Sequence, residues 1–220
     1  MAIAYDAITS SGYGSSVDGA SWTHTPTGTP KGVIVFVVNL GSTDFVTGVT
    51  YGGVAMSQVA GSPLAKATGE TFIVYCFFLG AGITAGNQTV AVSWSGNQTR
   101  ECLCISLVAA GNTEVVDTTT ISSDSVIDPS ATLSLGGFSC FCVEMFGSGQ
   151  TGVEFITPFA NWTARVEVDE GVKTHGCYTY DVIDTADVTM GWTQTADDAV
   201  CIGVAVKELG GGARSYGYIF

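Results

Sequence analysis

The chain states one pattern twice. Gly32-Val33-Ile34-Val35-Phe36-Val37-Val38-Asn39-Leu40-Gly41-Ser42 is a glycine, a long apolar run and a Gly-Ser turn. Gly137-Phe138-Ser139-Cys140-Phe141-Cys142-Val143-Glu144-Met145-Phe146-Gly147-Ser148 repeats that arrangement. Val90-Ala91-Val92-Ser93-Trp94 precedes the cysteine-bearing run Cys102 to Val108, and Val188-Thr189-Met190-Gly191-Trp192 precedes Cys201 to Val206. The offset stays at roughly 100 residues, and a period of that kind constrains architecture before any local propensity does. Two half-chains with the same strand order are expected. What is duplicated is scaffold, since no reactive group is duplicated with it.

Short apolar or alternating runs bounded by Gly, Pro, Asn and Ser recur along the whole chain, which predicts strands joined by turns. Thr89-Val90-Ala91-Val92-Ser93-Trp94 has the period of two of a half-buried strand. No segment holds a helical apolar period over three turns. The expected fold is all-β, a jelly-roll-like β-sandwich built from two repeated halves. Residues 1–19 read as an irregular Ser/Gly-rich N-terminal arm, 20–208 as the sandwich with halves at about 20–111 and 112–208, and 209–220 as a tail. The stretch Asn112 to Pro129 joins the halves, either as a linker between domains or as a connection within one body.

Of 220 residues only 12% are charged and 46% are hydrophobic, with 29 glycines. The net charge of −13 repels phosphate, and Lys31, Lys66, Arg100, Arg165, Lys173, Lys207 and Arg214 stand apart from one another, so no nucleic-acid groove is expected. The start Met1-Ala2-Ile3-Ala4-Tyr5-Asp6 lacks the charged and apolar regions of a signal peptide. The run Val33 to Val38 is too short to span a bilayer. Synthesis in a cytoplasm, no membrane partner and release by lysis are the expectations.

Seven cysteines, an odd count, argue against a disulfide framework. Their phase is informative. Leu103, Ile105 and Leu107 share one face and Cys102, Cys104 and Ser106 the other. Phe141, Val143 and Met145 oppose Cys140 and Cys142, and Val200, Ile202, Val204 and Val206 oppose Cys201, Gly203 and Ala205. The small face is expected to be covered by neighbouring backbone or another subunit, with Cys acting as a small hydrophobe. The Cys-x-Cys spacing and the absence of His-x-x-x-His disfavour zinc, and no cofactor is expected.

Chemistry-bearing candidates are few. His24, in Trp22-Thr23-His24-Thr25, reads as an exposed strand residue. His175-Gly176-Cys177 suggests a Cys–His pair that lacks an orienting third group. Gly147-Ser148-Gly149-Gln150-Thr151-Gly152 lacks the Lys-Ser/Thr ending of a phosphate loop. The acid pairs Asp169-Glu170 and Asp197-Asp198 sit at turns, where carboxylates are ordinary solvated residues. The expectation is no catalytic site and no metal site. Trp22, Trp94, Trp162 and Trp192 fall in or at the ends of strands, where core packing is the plainer reading.

The C-terminus differs from the rest. Gly210-Gly211-Gly212 is a flexible tether, and Tyr216, Tyr218, Ile219 and Phe220 follow it. This aromatic tip either folds back on its own sandwich or docks on a neighbouring subunit. These four are the candidate partner-docking residues.

Val46-Thr47-Gly48-Val49-Thr50-Tyr51-Gly52-Gly53-Val54-Ala55-Met56-Ser57 is the most specific string. With the aromatic strand Phe72 to Leu79, and Thr89 to Trp94 after Gly86-Asn87, it resembles a diffuse group of β-sandwich proteins of tailed bacteriophages. The likeness covers Gly32 to Ala110, and the second half only through the repeat. It implies a non-enzymatic virion component, a capsid decoration protein, head fibre or tail-fibre module, that partners the major capsid protein and forms homo-oligomers. The alternative is a tail-fibre or baseplate module that binds a host cell-surface glycan. An extracellular hydrolase would require acids or His175 to converge in a cleft.

Overall fold

Every side chain of Gly32–Asn39 is buried, and a strand achieves that only when both faces of its sheet are covered. The computed structural model describes residues 2–16, 19–41, 45–66, 71–96, 98–150, 156–171 and 173–210. Among them the chain forms strands and no helix. The first half holds β1 (Ala4–Ser10), β2 (Gly14–Ser16), β3 (Ala20–His24), β4 (Gly32–Asn39), β5 (Val46–Tyr51) and β6 (Val54–Ala55). It continues with β7 (Ser57–Gln58), β8 (Leu64–Lys66), β9 (Phe72–Leu79), β10 (Gln88–Trp94) and β11 (Gln98–Val108). The second holds β12 (Thr113–Val126), β13 (Ser130–Leu133), β14 (Cys140–Ser148), β15 (Thr157–Pro158), β16 (Trp162–Asp169), β17 (Thr174–Asp184), β18 (Val188–Thr193) and β19 (Asp197–Glu208).

The inner sheet of the first half runs β1-β11-β4-β9-β7, with β2 and β8 at its margins, and its outer sheet runs β3-β10-β5-β6. The second half repeats this as β12-β19-β14-β17-β16 and β13-β18-β15. In both halves the chain crosses repeatedly between the two sheets, as from β3 to β4 to β5 and from β9 to β10 to β11 in the first, and from β12 to β13 to β14 and from β17 to β18 to β19 in the second. The correspondence extends to a defect. β1 bulges between Tyr5 and Ala7, opposite Leu107 and Ser106, and β12 bulges between Val115 and Asp117, opposite Val206 and Ala205. Each half is thus a complete two-sheet sandwich, and the chain is all-β.

The two sandwiches stack by their inner sheets. Ile34, Phe36, Leu103 and Ile105 of the first half meet Phe141, Val143, Met145 and Ile202 of the second in one buried cluster. Strand β4 lies on β14, β1 on β17, β12 on β8, and β19 on β8 and β9. Within the first half, Val35, Val37, Cys102 and Cys104 pack against Val90, Val92 and Trp94. Within the second, Cys140, Cys142, Phe146 and Cys201 pack against Met190 and Trp192. The four sheets therefore enclose three apolar layers.

This arrangement specifies what covers each strand face. In β11, β14 and β19 the cysteine face is covered by the outer sheet of its own half and the large-apolar face by the other half, whereas Cys76 of β9 and Cys177 of β17 lie in the layer between the halves. Small residues suit the cysteine face because bulky rings fill the opposite side. At Gly203 a β-carbon would lie 2.1 Å from the Met190 sulfur, so any larger residue would require the Met190 side chain to move.

One expectation is corrected and one pair of alternatives is decided. Residues Asp6 to Asp18 are not an irregular arm throughout, since Ala4–Ser10 is an edge strand paired with β11 and Gly14–Ser16 pairs further along it. Their Ser/Thr/Gly content hid a strand whose inward positions include Tyr5 and Ile8, both packed on the inter-half core. Of the two alternatives for Asn112 to Pro129, the connection within one body holds, since most of it is the strand β12, Thr113–Val126. The tail residues Tyr216, Tyr218, Ile219 and Phe220 lie outside the described residues.

Candidate functional site

The polar side chains that sequence singles out converge on the seams between sheets. His24 is fully buried rather than exposed, a correction to its place in an alternating Thr-rich strand. Its Nδ1 lies 2.8 Å from Thr9 Oγ1 and its Nε2 lies 2.9 Å from Ser106 Oγ. Trp22 Nε1 donates to Thr9 Oγ1 at 3.1 Å, and Ser106 Oγ donates to Asp6 Oδ2 at 2.7 Å. Indole only donates and carboxylate only accepts, so the chain has one consistent direction. Trp22 donates to Thr9, Thr9 to Nδ1, Nε2–H to Ser106, and Ser106 to Asp6.

That direction decides the chemistry. Asp, Ser and His are all present, but the serine stands between the other two and gives its proton to the carboxylate. A nucleophilic triad places the histidine in the middle to take the serine proton. Burial also lowers the His24 pKa to about 4, with the Asp6 charge opposing it, so the ring is neutral near pH 7. The network pins β1 and β3 to β11 and does not activate a nucleophile.

His175, also fully buried, pairs across the two halves. Its Nε2 lies 2.7 Å from Glu101 Oε2, and Ser10 Oγ donates to Glu101 Oε1 at 2.6 Å. Cys177 lies two residues on in the same strand, but burial, followed by the Glu144 charge, pushes its thiol far up. A protonated, enclosed thiol is inert. All seven cysteines are buried and free. Burial raises Cys102 to about 12 and Cys140 to about 11.

Other charges join this seam. Lys66 bridges Asp124 and, at 3.4 Å, Asp198. Arg165 lies over the Tyr5 ring at 4.2 Å and holds Asp181 at 2.7 Å. Lys173 donates to the Thr71 carbonyl at 3.0 Å and lies over Phe72. These contacts take up three of the four paired acids as well. Asp198 is used by Lys66, Asp197 Oδ1 accepts from the Asp198 amide, and Asp169 Oδ1 accepts from the Gly171 amide at 2.7 Å in its turn. Neither pair faces its acids across a cleft as glycoside hydrolysis requires.

Glu144 escaped the sequence reading. It stands on β14 opposite Gly203 of β19 and Tyr178 of β17, fully buried. Burial pushes its carboxyl up to about 8. Oε2 takes the Cys201 thiol at 3.9 Å, and Oε1 has no hydrogen-bond partner. The hint was an acid in phase with Cys140 and Cys142 rather than with solvent. Among the described residues no group of three or more His, Cys, Asp or Glu is placed to hold a metal ion. Trp94, Trp162 and Trp192 are core residues, while Trp22 is only partly buried.

Clefts open between strands of the two halves. One, about 480 Å³, lies between β7 and β12, and another, about 190 Å³, lies between β1 and β17. No protein-family profile matches the chain, and no curated protein matches it. Among solved structures, the PBSX exported protein XepA is similar at 9% identity. The alignment covers 91% of this chain and 86% of that one with a TM-score of 0.25, a level of likeness that carries no argument about fold or role.

Proposed function

We propose that the chain is a non-enzymatic structural component of a bacteriophage particle, placed on the outside of the capsid and assembling through subunit contacts. One observation supports this most directly. Both histidines and all seven cysteines are buried in packing or hydrogen-bond contacts, so the groups best suited to chemistry are committed to joining sheets. The acidic, sparsely charged composition suits a surface facing solvent better than one facing a packaged genome. The resemblance of Val46 to Ser57 and its neighbouring strands to phage sandwich proteins points the same way. In this reading Tyr216, Tyr218, Ile219 and Phe220 are the partner-docking residues, and the major capsid protein and further copies of the chain are the partners.

Quantitative protein analysis of purified particles tests the proposal. Copies in fixed proportion to the shell subunit are expected. A few copies confined to tails would favour the glycan-binding alternative, and absence from particles would sink both.

A further inference from the structure

The face that β4 turns to its outer sheet carries Val33, Val35 and Val37. The face that β14 turns to the outer sheet β13-β18-β15 carries Cys140, Cys142 and Phe146, and Glu144 stands in phase with them. Three neighbouring strands enclose its carboxyl. β19 contributes Gly203, directly opposite, and the Cys201 thiol at 3.9 Å from Oε2. β17 contributes Cys177 and, opposite on the other side, Tyr178, whose hydroxyl donates to Glu167 Oε1 of β16 at 2.6 Å. β18, in the outer sheet, contributes Gly191, whose backbone is hydrogen-bonded to the carboxyl. The titratable groups facing Glu144 are thus two thiols, a phenol and, beyond the phenol, a second carboxylate, with no cation among them.

Oε1 of this fully buried side chain has no hydrogen-bond partner. An ionised carboxyl held there would be uncompensated, and such a group either keeps its proton or reaches water. The outer sheet is what separates it from solvent on this face. Among the described residues that sheet is the smallest of the four, with strands of four, six and two residues. It meets the inner sheet through apolar contacts of Leu133, Val188, Met190 and Trp192. Parting it would wet Glu144 while β12, β19, β14, β17 and β16 kept their hydrogen-bonded ladder, and openings that sacrifice few contacts are the ones a folded chain samples.

We propose that loss of the Glu144 proton to solvent parts the β13-β18-β15 sheet from the inner sheet of the second half while the rest of the chain stays folded. The opening is a proton-controlled device built into one half, and it does not rest on the virion reading. Iodoacetamide labelling of the full-length chain, read cysteine by cysteine, tests it. Protection is the ratio of the unfolded to the native labelling rate at the same pH. Cys142 and Cys201 lie between the two sheets of the second half, and Cys102 and Cys104 between those of the first. From pH 6.5 to 8.5 the protection of Cys142 and Cys201 is expected to fall at least about tenfold. At pH 8.5 it should lie at least about tenfold below that of Cys102 and Cys104. In full-length Glu144→Gln, which keeps the shape and cannot ionise, the fall with pH should vanish. One common protection for all four thiols at pH 8.5 would mean that only global unfolding exposes them, and would overturn the proposal. A fall that persists in Glu144→Gln would assign the opening to another group and overturn it equally. Should that variant fail to fold, the unaltered chain still decides, since protection of Cys142 and Cys201 that is constant with pH would sink the idea.

Discussion

Glu144 and His24 are each buried in a neutral form, and their effects on stability run in opposite directions with pH. Burial holds the Glu144 pKa at about 8, against an ordinary 4.5. Between those values the unfolded chain has released a proton that the folded chain keeps, so stability falls as pH rises. Burial holds His24 at about 4 against 6.5. Between those values the unfolded chain binds a proton that the folded chain refuses, so stability falls as pH falls. From about pH 4.5 to 6.5 the two slopes oppose each other, and above that window Glu144 acts alone. Glu144→Gln is expected to remove the loss above about pH 6.5 and to raise stability near pH 7.5 by about 1–3 kcal/mol. Urea midpoints measured across the pH range check this, and an unchanged slope in the variant would refute it. The cysteines give a second test at this scale. Thiol titration should find none of the seven reactive in the native chain and all seven once it unfolds. Rapid native labelling would contradict their burial.

Strands bind the halves through edges and buried pairs, and their legibility in sequence follows from what surrounds them. β5 and β18 could be placed to the residue because their alternation stands between clear turn signals. β1 could not, since Tyr5-Asp6-Ala7-Ile8-Thr9-Ser10 contains a bulge that breaks the period of two. β15 is a two-residue strand ending in proline, too short to leave a pattern. The segregation of cysteines from large side chains was readable, but not which partner covers which face, because that depends on how the halves stack. His24 shows the same limit. Its strand alternates as a solvated one would, and only the pairing of β3 with β10 and the nearness of β1 and β11 enclose it. The His175–Glu101 pair joins β17 to β11 with both side chains enclosed. Removing one partner of such a pair leaves the other buried without compensation. Glu101→Ala is expected to cost about 3–5 kcal/mol in chemical denaturation. A loss below about 1 kcal/mol would mean the pair behaves as a solvated surface contact.

At the scale of the molecule, the inner sheets decide whether the halves are independent. Each sandwich has its own core, yet each inner sheet also turns its larger residues outward onto the other half. Ile34, Phe36, Leu103 and Ile105 on one side, and Phe141, Val143, Met145 and Ile202 on the other, are buried only by stacking. A single half would expose them as one apolar patch, which isolated soluble domains rarely tolerate. The junction is close-fitting as well. The Thr113 amide donates to the Gly80 carbonyl at 3.0 Å, and a β-carbon on Gly80 would lie 1.9 Å from the Thr113 carbonyl oxygen. Folding is therefore expected to be a single cooperative event despite the duplicated topology. Trp94 reports on the first core and Trp192 on the second. Denaturation followed by fluorescence of full-length variants that keep either Trp94 or Trp192 as the one tryptophan, the other three replaced by Phe, should in each case coincide with the transition seen by circular dichroism. Gly80→Ala, which forces the halves apart at their junction, should lower stability by about 1–3 kcal/mol and shift both tryptophan signals together. If only one signal moves, or two transitions separate, the stacked sheets are a contact between independent domains, and the outward-facing residues do not couple their folding.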